Sequence, residues 1–219
     1  MSRWLVGVDL GQAQDFTAIS ALEQIQHSTV TPANHRVFPA RPRSTAVAIE
    51  YHLRHLERPK LGTPYPVIVS RVREIVAQPE LCDCALVVDA TGVGAPVVDM
   101  MRAAGLNPIP IYITGGNAVS RTKEGYHVPK RDLATTLQSL VQTSRLKIAN
   151  GLKEGPTLDR EMMAFRVKIN IATGHDSYEA LREGDHDDLV LCVAMPCWYG
   201  ERGAGVRYTS AIHHRSARA

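Results

Sequence analysis

The chain has 219 residues, 44% of them hydrophobic and 21% charged, a composition that excludes intrinsic disorder for its bulk. At roughly 150 residues per domain, that length fits one large domain with decoration. Against 22 acidic residues stand 25 basic ones, a net charge of +3, and no apolar run approaches the ~18 residues that a membrane span requires.

Trp4-Leu5-Val6-Gly7-Val8 is apolar and reads as a buried strand that delivers Asp9 at its C-terminal end, too early in the chain for a signal peptide. Phe16 to Leu22 reads as its hairpin partner, and the Pro- and Arg-rich stretch from Thr31 to Thr45 as a surface connection. Ala48 to Leu56 suits a strand or a helix, and the elements after it favour the strand. Leu61-Gly62-Thr63-Pro64 is a break with a helix-start signature, after which Val67, Ile68, Val72, Ile75 and Val76 recur at helical spacing until Pro79. Ala85-Leu86-Val87-Val88-Asp89 is a second apolar strand closed by an aspartate, and the tight turn from Ala90 to Pro96 opens a helix that stops near Gly105.

Pro108 to Ile113 is a further strand, its prolines favouring a sheet edge. The polar, glycine-containing stretch from Gly115 to Val128 reads as a loop. Pro129 starts an amphipathic helix with Leu133, Leu137, Leu140 and Val141 on one face, and Leu158 to Phe165 is another helix. Phe165 to Ile171 alternates like a strand, with Gly174 suited to a hairpin turn. His186-Asp187-Asp188 introduces Leu189 to Trp198, which is apolar on every side and therefore a buried helix. From Glu201 to Ala219 the chain carries Arg202, Arg207, Arg215 and Arg218 against one glutamate. That tail is either a contact for an acidic polymer or a solvated terminus. The order predicts an α/β fold whose mixed sheet starts antiparallel and adds parallel strands, flanked by helices. One domain over 1–200 and a basic tail over 201–219 is the expected organisation.

Three aspartates stand out by position. Asp9 and Asp89 each close an apolar strand, so parallel neighbours would hold both carboxylates at one sheet edge, and Asp188 sits where a buried helix begins. Carboxylates so crowded repel unless a cation neutralises them or one is protonated. Oxygen ligands suit magnesium or manganese, and two such ions roughly 3.5–4 Å apart are a common apparatus for attack of water on a phosphodiester. Any one aspartate after a strand is ordinarily a turn or cap residue; three in equivalent positions are harder to dismiss. Asp15 is a turn residue or a further carboxylate of the site. Successive helix residues are rotated by about 100°, so Asp188, one turn from Cys192, faces inward while Asp187 points to the rim. Cys82, Cys84, Cys192 and Cys197 lack zinc-knuckle spacing and read as reduced, small core residues of a cytosolic protein.

At these residues the chain resembles a known family. Val6-Gly7-Val8-Asp9-Leu10-Gly11 with Asp15-Phe16-Thr17-Ala18-Ile19 is similar to the first motif of the nuclease domain of phage terminase large subunits. Val87-Val88-Asp89-Ala90-Thr91-Gly92-Val93-Gly94 resembles the second and His186-Asp187-Asp188-Leu189-Val190-Leu191 the third, with weaker likeness at Leu61 to Tyr65 and Phe165 to Val167. The resemblance implies a ribonuclease-H-like fold and a two-metal-ion endonuclease, using Mg2+ or Mn2+, that cuts double-stranded DNA. It assigns the catalytic role to Asp9, Asp89 and Asp188 and makes Asp15 and Asp187 accessory metal ligands. It further implies a separate ATPase motor with portal or small-terminase proteins as partners, no membrane, and a place in the cytoplasm of a bacterial or phage-infected cell.

The chain departs from that family in having no GxxxxGK[ST] phosphate loop, so it reads as either an isolated nuclease domain or a stand-alone relative, with nuclease chemistry expected in both cases. Nothing resembles a base-reading module. DNA contact is therefore expected through phosphates, with Lys123, Lys130 and Arg131 as candidates. An actin- or sugar-kinase-like ATPase fragment matches Asp9-Leu10-Gly11 and Asp89 to Gly92, but such proteins place nucleotide between two domains and need a longer chain. A non-catalytic DNA-binding module accounts for the basic segments and leaves the carboxylates unexplained.

Overall fold

The computed structural model describes residues 2–11, 15–30, 45–170, 175–180 and 186–203. Its centre is a sheet of eight strands: β1 (Ser2–Asp9), β2 (Ala18–Val30), β3 (Thr45–Glu57), β4 (Ala85–Asp89), β5 (Pro108–Thr114), β6 (Ser120–Arg121), β7 (Tyr126–Pro129) and β8 (Leu146–Ile148), in the order β6-β7-β5-β4-β1-β2-β3-β8. The β1–β2 and β2–β3 pairs are antiparallel, whereas β4 and β5 add in parallel beyond β1 and β8 adds in parallel to β3. A separate antiparallel pair, β9 (Phe165–Asn170) and β10 (His175–Ala180), stands off the main sheet. The Gly174 turn and most of the expected Thr31–Thr45 connection lie outside the described residues.

The buried stretches Leu5–Val8 of β1 and Ala85–Val88 of β4 carry no polar side chain because helices cover both faces. Val6, Val8, Ile19, Leu86 and Val88 pack with α1 (Tyr65–Val76) and α2 (Gly94–Ala103). Leu5, Leu22, Val87 and Ile111 pack on the other face with α3 (Lys130–Gln142), α4 (Gly155–Ala164) and α5 (Asp188–Gly203). α5 is the keystone of that second layer, with Leu189, Val190, Cys192, Val193, Ala194 and Met195 wholly buried. Each large apolar side chain so enclosed contributes roughly 1.5–3 kcal/mol.

Two features let α5 lie against β1. A Cβ on Gly7 would stand 1.9 Å from the Cys192 carbonyl oxygen and 2.8 Å from the Pro196 ring, so only glycine permits the approach. Pro196 has no N–H for the carbonyl four residues back, which is that of Cys192. The Ser20 hydroxyl donates to this carbonyl instead, at 2.6 Å in the buried interior. The sequence that places a proline inside a helix thus supplies its substitute donor from β2.

Four expectations are corrected. β5 is an interior strand between β4 and β7, not an edge. Its prolines are tolerated because Ile111 faces β4, where its carbonyl accepts from Ala90 N–H. Pro108 and Pro110 therefore turn their missing donors the other way, where the β7 ladder begins only at Ile111↔Tyr126. The stretch from Gly115 to Val128 is not all loop, since it holds the β6–β7 hairpin, and the short β8 had no periodicity to announce it. Cys82 is exposed and Cys84 half-buried, beside the 3₁₀ turn Pro79–Leu81, while Cys192 and Cys197 are core residues as expected. Finally, α5 crosses position 200 and runs through Gly203, with Glu201 ion-paired to Arg145.

Candidate active site

Because Val8 pairs with Val88 in parallel register, the next residues, Asp9 and Asp89, leave the sheet side by side. Asp89 is set by a local turn: its Oδ1 accepts from Thr91 N–H at 2.8 Å, and the Thr91 hydroxyl oxygen accepts from Ile113 N–H at 2.8 Å. Gly94 lets α2 begin directly over this turn, since a Cβ there would meet the Asp89 carbonyl oxygen at 2.3 Å. α5 brings Asp188 to the same edge from the other layer. A cleft of about 250 Å³ is lined by Asp9, Asp15, Asp89, Asp187 and Asp188, together with Thr91 and His186. All five carboxylates expected from the sequence therefore share one cavity.

Their electrostatics are unbalanced. Burial, followed by the charges of Asp89, Asp188 and Asp187, pushes Asp9 well above the usual carboxylate range. Burial raises Asp89 as well, despite its bonds from Thr91. Asp188 is pushed up to about 6, burial and Glu161 outweighing the opposite pull of Arg58 and His186. Asp187 stands at the rim, where Lys130 Nζ donates to its Oδ2 at 2.5 Å, and its carbonyl starts α5 by accepting from Leu191 N–H. The expected division of Asp188 inward and Asp187 outward matches the side-chain exposures of 9% and 21%.

Two further charged residues were not singled out from the sequence. Glu161, buried on α4, accepts from the backbone N–H groups of Leu189 at 3.0 Å and Val190 at 3.3 Å, so it caps α5 from a neighbouring helix. Its other oxygen is in direct contact with the guanidinium of Arg58, which lies over the Phe16 ring at 4.8 Å. The same guanidinium is 3.6 Å from Asp188 Oδ2, and His186 Nδ1 is 3.7 Å from that oxygen. Neither distance is a hydrogen bond. Asp188 Oδ2 and Arg58 Nε are the two buried side-chain polar atoms without a hydrogen-bond partner among the described residues.

The candidate DNA-binding residues are dispersed. Lys123 is exposed in the β6–β7 turn, Lys130 is held at the cleft by Asp187 with its amine over Phe165, and Arg131 donates to the Asn117 carbonyl at 2.6 Å.

Among the described residues no three ligand-type side chains close around one point as they stand. The donor set nonetheless suits a hard divalent cation: all oxygen, crowded with like charge, with one buried carboxylate oxygen left without a donor. No helix among the described residues is long and apolar enough to cross a membrane.

No protein-family model and no curated protein sequence matches the chain. Among solved structures it is similar to the large terminase nuclease from thermophilic phage G20c, with a TM-score of 0.56 and 20% identity over 89% of this chain and 81% of that one. A weaker likeness is to Thermus thermophilus RuvC, with a TM-score of 0.38 and 12% identity over 92% of this chain and 97% of that one. The likeness to the terminase nuclease and the sheet order agree on a ribonuclease-H-like fold.

Proposed function

We propose that the protein is a metal-dependent endonuclease that hydrolyses phosphodiester bonds of double-stranded DNA with little sequence specificity. The observation that carries this reading is the convergence of Asp9, Asp15, Asp89, Asp187 and Asp188 on one cleft, with Asp9 buried among like charges. Such a cluster is costly to keep unless it serves a cation. The fold shared with the terminase nuclease supports the same conclusion.

In this reading Asp9, Asp89 and Asp188 would hold Mg2+ or Mn2+, with Asp15 and Asp187 as accessory ligands for a second ion. When bound, such ions polarise the phosphate and lower the pKa of attacking water. The chain's own residues do the positioning. The Thr91 N–H fixes the Asp89 carboxylate, Gly7 and Ser20 seat α5, and the α5 N-terminus aims Asp188 at the sheet edge. Lys130, tethered by Asp187, offers a positive charge at the mouth of the cleft for a phosphate oxygen. Lys123 and Arg131 extend the phosphate contacts, which read no base edges. Packaging as a role would depend on an ATPase motor and on portal or small-terminase partners. A non-catalytic DNA-binding module is a poorer reading, because bare carboxylates repel phosphate.

Incubating the purified protein with supercoiled plasmid tests the proposal. Nicking and linearisation are expected with Mn2+ or Mg2+, none with EDTA, and no effect of ATP. Undiminished cutting in EDTA, or a strict need for ATP, contradicts it.

A further inference from the structure

We propose that Glu161 is a positioning residue that keeps Arg58 from claiming Asp188, leaving one Asp188 oxygen for a divalent cation. This rests on the metal-dependent reading above. Arg58 is the one guanidinium within 4 Å of Asp188 among the described residues, and its side chain is only 12% exposed. A buried guanidinium next to a buried carboxylate ordinarily closes a direct, hydrogen-bonded pair. Here it does not. The contact goes to Glu161, while Asp188 Oδ2 stays 3.6 Å away with no donor. His186 Nδ1 lies 3.7 Å from that oxygen, its ring edge-on to Phe16 at 5.2 Å, and does not close a bond either.

Glu161 suits the task because it is fixed from two directions. One oxygen is engaged by the first turn of α5, the helix that carries Asp188, and the other by Arg58, which immediately follows β3. Removing the Glu161 charge leaves Arg58 a single buried carboxylate to neutralise it, that of Asp188. The competitor for a metal ligand would then be an internal cation at effectively unlimited local concentration. Glu161 touches neither substrate nor reacting atoms in this account; it acts through Arg58.

Calorimetric titration of Mn2+ into the full chain, without DNA, tests the inference. Glu161→Gln preserves a carbonyl acceptor for the α5 N–H groups and removes the charge that holds Arg58. It is expected to weaken Mn2+ binding about tenfold or more, the scale on which outer partners of metal ligands act. Adding Arg58→Met in that background removes the competitor and is expected to restore affinity to within about threefold of the parent, a coupling that a merely structural role does not produce. Unchanged binding in Glu161→Gln, or a double variant as weak as the single one, overturns the proposal. Should Glu161→Gln fail to fold, Arg58→Met alone is expected to bind Mn2+ at least as tightly as the parent, and weaker binding overturns it. A parent chain that binds no Mn2+ defeats the metal-dependent reading itself, whereas a parent that binds normally beside an unaffected Glu161→Gln defeats only the role of Glu161.

Discussion

The two ends of α5 solve the same problem in opposite ways. At its C-terminal end Glu201 enters the protein, and its charge is fully matched. Both terminal guanidinium nitrogens of Arg145 donate to it at 2.6 and 2.9 Å, Arg145 Nε donates to the Ile49 carbonyl, and the Tyr51 hydroxyl donates to Glu201 Oε1 while accepting from Gln24 Nε2. At its N-terminal end four carboxylates, those of Asp9, Asp89, Asp188 and Glu161, are all raised above their ordinary range with burial as the leading cause. Both orphaned buried polar atoms lie at that same end. One helix therefore joins a network built to be complete with one left incomplete. Stability alone rewards the first and penalises the second, which is why the proposed function assigns the cation to the incomplete end.

The comparison is broken most severely by neutralising the incomplete end. Asp188→Asn is expected to lower the cleavage rate by on the order of a thousandfold or more, since a metal site contributes several kcal/mol of transition-state stabilisation. Asp187→Asn, at the rim, is expected to leave measurable activity in the same plasmid assay. A dead Asp187→Asn beside an active Asp188→Asn would reverse the assignment of the two. A smaller effect follows at the complete end. Arg145→Met strands Glu201 and is expected to destabilise the fold by about 1–2 kcal/mol, discounted for partial exposure, with Mn2+ affinity unchanged. Chemical denaturation and calorimetry read the two quantities separately.

The smallest expected effect is on pH dependence. A carboxyl raised in the folded state contributes stability that is fully present below its unfolded pKa and lost as pH rises through the folded one. For Asp188 this window runs from the ordinary value of 3.8 to about 6, and Asp9 extends it upward. In EDTA the melting temperature is therefore expected to rise by a few °C, the scale of about 1 kcal/mol in a chain of this size, as pH falls from 7 to 5. Below about 4.5 the gain is opposed at Glu57. Although burial works against it, hydrogen bonds from His55 and Arg71 hold that carboxyl at about 2, and its stabilisation is lost as pH falls toward that value. A melting temperature that falls between pH 7 and 5 in EDTA counts against the electrostatic description.

The legible part of the site was the part encoded in contiguous pattern. An apolar run ended by an aspartate announces both a strand and the place of its carboxylate, which is why Asp9 and Asp89 could be read from the chain. The wholly apolar stretch after Asp188 announced a buried helix in the same way. Arg58 and Glu161 were invisible because their meaning is tertiary. Arg58 looks like one more surface charge after a strand, and Glu161 sits among Asp159 and Arg160 in an ordinary helix. One signal was available: Glu161 lies three residues after Leu158, on the helical face that packs inward. The error over β5 has a similar origin, since proline speaks only to the side its own nitrogen faces, and the sheet order decides what lies on the other.

The central claim is that the acidic cluster is held at a cost until a cation relieves it. Thermal melting of the parent chain and Asp9→Asn, each in EDTA and in Mn2+, tests it directly. The account predicts that Asp9→Asn melts at or above the parent in EDTA, and that Mn2+ raises the parent while leaving the variant unmoved. A parent unmoved by Mn2+, or an Asp9→Asn that melts well below the parent in EDTA, would contradict it.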